Sequence, residues 1–189
     1  MRAWTSCAVV LCALVAGGCA GPLRGPVPES RLVASGRYVI VEGLEVPRGG
    51  GSRGCGAQAL ATVFAHADPE TDAQAECDRL PWREAGATPV ELLLAARARG
   101  FEAELSRGSV AELRGHVVSG VAPLVLIDMS RRGREVYHWA VVSGVGADGS
   151  DVLLGGEGAR HYLISGEEFA RRWSRTDYCT IVVRAGPTR

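Results

Sequence analysis

The clearest hydrophobic periodicity in the chain lies at residues 57–64, where Ala57, Leu60, Ala61 and Phe64 recur at helical spacing. The helix they predict opens at or beside Cys55, directly after the glycine-rich run Gly49-Gly50-Gly51-Ser52-Arg53-Gly54, and ends near His66. A short helix is read over residues 72–80. Thr88-Pro89-Val90-Glu91 is a capping box with proline at the first helical position, opening a helix that Gly100 stops. Ser109-Val110-Ala111-Glu112 opens another, to about Val118, and Ser165-Gly166-Glu167-Glu168 a last one through Trp173. Strand patterns fall at 39–46, 103–105, 124–129, 136–143, 152–154, 160–164 and 178–183. Arg132-Gly133, Asp148-Gly149 and Gly155-Gly156 supply the turns. Helices first and an antiparallel sheet after is the α+β pattern.

The chain has 189 residues, enough for one domain with a real core. Lys+Arg (21) balances Asp+Glu (21), so there is no electrostatic case for a nucleic-acid partner. Every one of those basic residues is arginine. The N-terminus changes the picture more. Met1-Arg2 is a positive start, residues 8–16 are a short apolar core, and Gly17-Gly18-Cys19 is a small-residue site. That pattern reads as an export signal, residues 1–19, too short to remain as a membrane span. Small residues before Cys19 resemble a bacterial lipoprotein signal, in which Cys19 is lipidated and anchors the protein to the membrane from outside the cytoplasm. Ala16 stands where leucine is usual. Residues 20–36, rich in Pro and Gly, are expected as a linker, and residues 37–186 as the folded domain.

Cysteine arithmetic follows. Cys7 and Cys12 leave with the signal, and the mature domain keeps Cys55, Cys77 and Cys179. In an oxidising compartment Cys77 and Cys179 either form a disulfide or stay as small buried residues; neither reading pairs Cys55. No close Cys/His spacing suits zinc, and no cofactor is expected.

A thiol at a helix start feels the unpaired N–H groups and positive dipole end of that helix, which favour thiolate. His138 lies in Val136-Tyr137-His138-Trp139-Ala140-Val141-Val142-Ser143-Gly144, a run with the β-branched content of a buried strand. A helix-start cysteine followed much later by a strand histidine is the chain order of papain-like cysteine peptidases. His66, His116 and His161 read as structural or surface, Trp139 as sheet packing or the wall of a substrate cleft, and Gln58 as pointing away from an oxyanion role.

Four stretches resemble the bacteriocin-processing (double-glycine leader) peptidase family, a papain-like group. They are Cys55-Gly56-Ala57-Gln58-Ala59-Leu60-Ala61, Pro123-Leu124-Val125-Leu126-Ile127, His138-Trp139-Ala140-Val141-Val142-Ser143-Gly144, and Ile164-Ser165-Gly166-Glu167-Glu168-Phe169 with Trp173. The resemblance implies a papain-like fold, with N-terminal helices packed on a C-terminal antiparallel sheet. It also implies a peptidase cleaving peptide or small-protein substrates with Cys55 as nucleophile and His138 as base; a monomer is expected. Two family features are unmatched. The oxyanion glutamine falls near Gly49, and the third catalytic residue, an aspartate, falls near Gly155-Gly156. Glu157 or Asp151, in the neighbouring hairpin, are the substitutes for that third role. A binding module that keeps the cleft without catalysis is the alternative. A cell-wall peptide hydrolase of the NlpC type is a further one, although Arg53-Gly54-Cys55-Gly56 departs from its Asp-Cys-Ser-Gly signature.

Overall fold

The computed structural model of the chain describes residues 23–48, 54–80, 86–131 and 133–186. In chain order these form β1 (Arg24–Pro28), α1 (Glu29–Ser35), β2 (Tyr38–Ile40), α2 (Cys55–Ala67), α3 (Ala73–Arg79), α4 (Pro89–Ala98) and β3 (Glu102–Arg107). They continue with α5 (Val110–Val118), β4 (Leu124–Asp128), β5 (Tyr137–Gly146), β6 (Asp151–Gly156), β7 (Arg160–Ser165), α6 (Gly166–Ser174) and β8 (Cys179–Arg184). The expected α+β class holds: helices pack on a sheet of order β1-β7-β6-β5-β4-β8-β3, with β2 added beside β5. All strand pairs are antiparallel.

Capping chemistry explains where helices begin. Thr88 accepts from the Glu91 N–H while Glu91 returns to the Thr88 N–H, closing the box read from sequence. Asp72, Ser109 and Ser165 each accept an N–H three residues on. Helix α2 differs, for Gly54 precedes it and supplies no side-chain cap. Its apolar stripe is buried instead: Leu60, Ala61 and Phe64 are fully covered, and the Phe64 ring stacks on Phe101 with centroids 4.4 Å apart. Burying Leu60 and Phe64 contributes roughly 1.5–3 kcal/mol each, and it holds α2 against the long strand β5.

The N-terminal part of the chain folds differently from the sequence expectation. Residues 20–36 are not a linker throughout. β1 pairs with β7, placing Arg24 opposite Leu163 and Pro28 opposite Arg160. The Arg24 guanidinium pairs with the Asp151 carboxylate, and Leu32 is buried in a small cluster with Leu153 and Leu163. An apolar residue every few positions (Leu23, Val27, Leu32) is enough to dock a Pro/Gly-rich stretch when an edge strand offers backbone partners. Two other boundaries move. The strand expected over 39–46 stops at Ile40, because the chain turns through Gly43 at φ +74°. Gly155-Gly156 lies inside β6, and the turn comes later, through Gly158 at φ +65°.

Of the two readings for Cys77 and Cys179, the structure has the unbonded one: among the described residues Cys55, Cys77 and Cys179 are all free thiols. Cys77 is 1% exposed on α3, within the core. Cys179 opens β8 opposite Arg107. Each is absorbed by its own packing, and burial raises both thiol pKa values, that of Cys179 to about 11. Cys19, residues 49–53 and Arg132 lie outside the described residues.

Candidate active site

The site is assembled at the crossing of α2 and β5. Cys55 is the first residue of α2, where the backbone N–H groups have no intrahelical acceptor. In place of a cap, Sγ faces the N–H groups of Cys55 and Gly56 and accepts the Trp139 N–H at 3.4 Å. Trp139 is the residue that sequence reading undervalued. Its indole Nε1–H donates to the Ala87 carbonyl at 2.8 Å, and its ring lies against Gly56, where an added Cβ would sit 3.2 Å from Cδ1. The ring therefore fixes the backbone that holds the sulfur. An aromatic residue immediately after the candidate base was the available signal.

Side chains alternate along a strand, so Trp139 and its neighbour His138 leave β5 on opposite faces. His138 and Cys55 line one cavity of ≈ 350 Å³ together with Gln58, Glu157, Arg160 and Tyr162. The two sequence-predicted partners are thus brought to one cavity. Among the described residues, however, no hydrogen bond joins Sγ to either ring nitrogen, and the sulfur is held by backbone N–H groups instead.

The electrostatics correct a second expectation. Burial raises the Cys55 thiol above its ordinary value, and the three backbone N–H groups oppose this without cancelling it. Burial also lowers the His138 imidazole below 6.5. Removing a charged group from water disfavours whichever form carries the charge, so the resting pair is thiol and neutral imidazole, not thiolate and imidazolium.

The two candidates for the third role separate. Glu157 follows β6 directly, bridges to Val46 and lines the cavity with His138. Asp151 starts β6 at the other end, next to the strand position paired with Val145, and its carboxylate is taken by Arg24 and the Tyr38 hydroxyl. Asp151 is therefore a structural ion-pair partner remote from His138. The site's two glycines are sterically committed: a Cβ on Gly156 would meet Tyr162 Cε2 at 2.7 Å, and one on Gly155 would meet Val46 at 3.1 Å. Gln58 lines the cavity while its amide donates to the Pro47 carbonyl at 2.9 Å.

A second polar cluster was not foreseen. Ser143 Oγ and His161 Nδ1 share a 2.7 Å hydrogen bond, and His161 Nε2 lies 3.5 Å from Glu29 Oε2. The residue types are those of a serine hydrolase triad, but Ser143 is 0% and His161 1% exposed, so no substrate reaches them. The cluster ties α1 to β5 and β7. Among the described residues no group of three or more His, Cys, Asp or Glu side chains is placed to hold a metal.

Neither a family model nor a curated protein matches the sequence. Solved structures do match the fold. The peptidase domain of Streptococcus ComA, a bifunctional ABC transporter of a quorum-sensing pathway, superposes with a TM-score of 0.57 at 19% identity, over 75% of this chain and 98% of that one. A double-glycine-motif protease from an AMS/PCAT transporter, solved with its leader peptide, gives 0.55 at 18% over 75% and 90%. A C39-like peptidase from Bacillus anthracis gives 0.59 at 14% over 77% and 96%. The fold is that of papain-like C39 peptidase domains.

Proposed function

We propose that this chain is an exported cysteine peptidase, held at the outer side of a membrane through lipidated Cys19, that hydrolyses peptide or small-protein substrates as a monomer. The observation that carries the reading is that Cys55 at a helix start and His138 on a strand line one cavity, in a fold shared with peptidase domains. The chemistry needs no cofactor. His138 takes the thiol proton as Sγ attacks the carbonyl carbon, and the resulting imidazolium protonates the departing amine as the C–N bond breaks. Water then cleaves the thioester, with His138 as base again. The N–H groups gathered at Sγ are the candidate donors to the developing oxyanion, and Glu157, in the same cavity, is the candidate carboxylate to favour the imidazolium.

The test is labelling of the full chain with a peptide carrying a cysteine-peptidase electrophile. The wild type should be modified at Cys55, and His138→Ala should slow this at least tenfold. Equal labelling of both would refute the Cys–His mechanism. A second reading, a peptide-binding module, is favoured by the absence of a Cys55–His138 hydrogen bond among the described residues and by the glycines at the aspartate position. Peptide binding without modification decides for it. The anchor is read separately, by a Cys19→Ala variant that moves from the membrane to the soluble extracytoplasmic fraction.

A further inference from the structure

We propose that the N-terminal strand holds the catalytic cleft against the bilayer, so that the substrates are peptide segments emerging from or attached to the same membrane. The inference rests on the peptidase and Cys19-anchor readings and adds where the site works and on what.

It starts from β1. A flexible linker over residues 20–36 would have given the domain a reach of about 60 Å at full extension. The structure removes most of that freedom. Arg24 to Pro28 are paired along β7, Arg24 is held by Asp151, and Glu29 faces the buried His161. Leu23, immediately before β1, lines the same cavity as Cys55 and His138. Only four peptide links separate Leu23 from Cys19, which bounds the distance between anchor and cleft at about 14 Å. The headgroup layer itself takes up roughly 5–8 Å of that. The cavity rim therefore rides at the lipid surface. Arg160, an exposed residue of that rim, is placed to meet lipid phosphates. Substrates in the same membrane meet the cleft at high effective concentration, while sites carried far above the surface lie beyond its reach.

The test uses the lipidated full chain in vesicles, with a fluorescent amino acid replacing Arg160 and nitroxide-headgroup lipids as a short-range quencher. A comparison variant carries about 25 Gly/Ser residues inserted after Gly21, a flexible tether of ~28 Å r.m.s. length. The wild type should be quenched several-fold and the insertion variant largely released. Equal quenching of the two, or none in vesicle-bound wild type, overturns the proposal. Wild type that fails to float with the vesicles overturns the anchor reading and this inference with it.

A second readout compares cleavage of a lipid-attached peptide placed next to the bilayer with one raised on a helical spacer of about 40 residues, ~60 Å long. The wild type should prefer the near peptide at least tenfold, and the insertion should bring the ratio close to one. Equal cleavage by the wild type overturns the substrate class. Quenching as expected with neither peptide cleaved refutes the peptidase reading while upholding the position of the cleft.

Discussion

Gly56→Ala tests whether the sulfur is held by close packing of α2 on β5. A methyl on Gly56 would lie 2.9 Å from the Ala87 methyl, 3.2 Å from Trp139 Cδ1 and 3.4 Å from a Leu92 methyl. Carbon atoms prefer separations of about 3.5–4.0 Å, so the first contact is short by at least about 0.6 Å. Neither near neighbour can rotate aside. Ala87 has only its Cβ, and the Trp139 ring is pinned by its hydrogen bond to the Ala87 carbonyl. The first turn of α2 must therefore retreat, stretching the Trp139 N–H to Sγ contact of 3.4 Å. Overpacking of this kind costs about 1–3 kcal/mol, against which alanine returns up to about 1 kcal/mol of helix preference. The net loss, up to about 2 kcal/mol, lowers the melting temperature by up to roughly 8 °C for a chain of this size. Gly115→Ala is the control. It sits exposed in α5 with no atom within 4 Å of an added Cβ, so the same substitution should raise stability by about 0.5–1 kcal/mol. Opposite signs in thermal unfolding, with slower electrophile labelling only in Gly56→Ala, are the expected result. A Gly56→Ala protein as stable as Gly115→Ala and labelled at the wild-type rate would refute the argument.

Alkylation of Cys55 by a neutral reagent should rise with a midpoint above pH 9.0, since burial raises the thiol; a midpoint near or below neutrality would show a resting thiolate. Peptide hydrolysis by the free enzyme needs unprotonated His138, whose pKa is lowered, so activity should be lost only as pH falls below 6.5; an acid limb at or above 6.5 contradicts this. Asp128 is held at a pKa of about 2 by hydrogen bonds from Ser130 and by Arg175. Its stabilisation, at most about 2.5 kcal/mol, is fully present above roughly pH 4 and lost as pH falls through about 2. Asp128→Asn should accordingly cost stability at pH 7 and little at pH 2, and equal cost at both would refute the assignment. Denatured, unreduced mature protein should expose Cys55, Cys77 and Cys179 to a thiol reagent, and protection of Cys77 and Cys179 would restore the disulfide reading.

Much of the fold was legible because local signals agreed with one another. Three capping motifs marked the starts of α4, α5 and α6 to within a residue, and each cap hydrogen bond is present. Cys55 and His138 were legible for the same reason: a helix start and a β-branched run can be read from short windows. What was not legible depends on tertiary burial. Nothing local to Cys55 says that Trp139 will cover it, and a thiol pKa inferred from the helix dipole alone takes the wrong sign once desolvation is included. His161 looked like a hairpin residue until β1 and α1 folded over it. The docking of residues 24–35 was hidden by composition, since Pro and Gly suppress strand propensity while leaving an edge pairing with β7 available. Glu157 and Asp151 were equivalent in sequence, six residues apart in one hairpin. Only the register of β6 on β5 sends one to the His138 end and the other to Arg24.

That register also bears on how a neutral site becomes reactive. Burial pushes the thiol up and the imidazole down, so each charge formed alone is disfavoured. Moving the proton from Sγ to His138 forms both charges at once, and each offsets part of the other's desolvation cost. Two features lie on the favourable side. The N–H groups of Trp139, Gly56 and Cys55 receive the sulfur anion, and Glu157 shares the cavity with the ring that gains the positive charge. A peptide filling the cavity excludes water and so strengthens these fixed dipoles relative to solvent. On the proposed peptidase mechanism, the nucleophile is thus generated on substrate entry and not stored beforehand. A thiol kept protonated until then resists oxidation, because thiolate character governs that susceptibility. If the chain is exported to an oxidising compartment as proposed, that protection would keep Cys55 available for a substrate, with three free cysteines among the described residues.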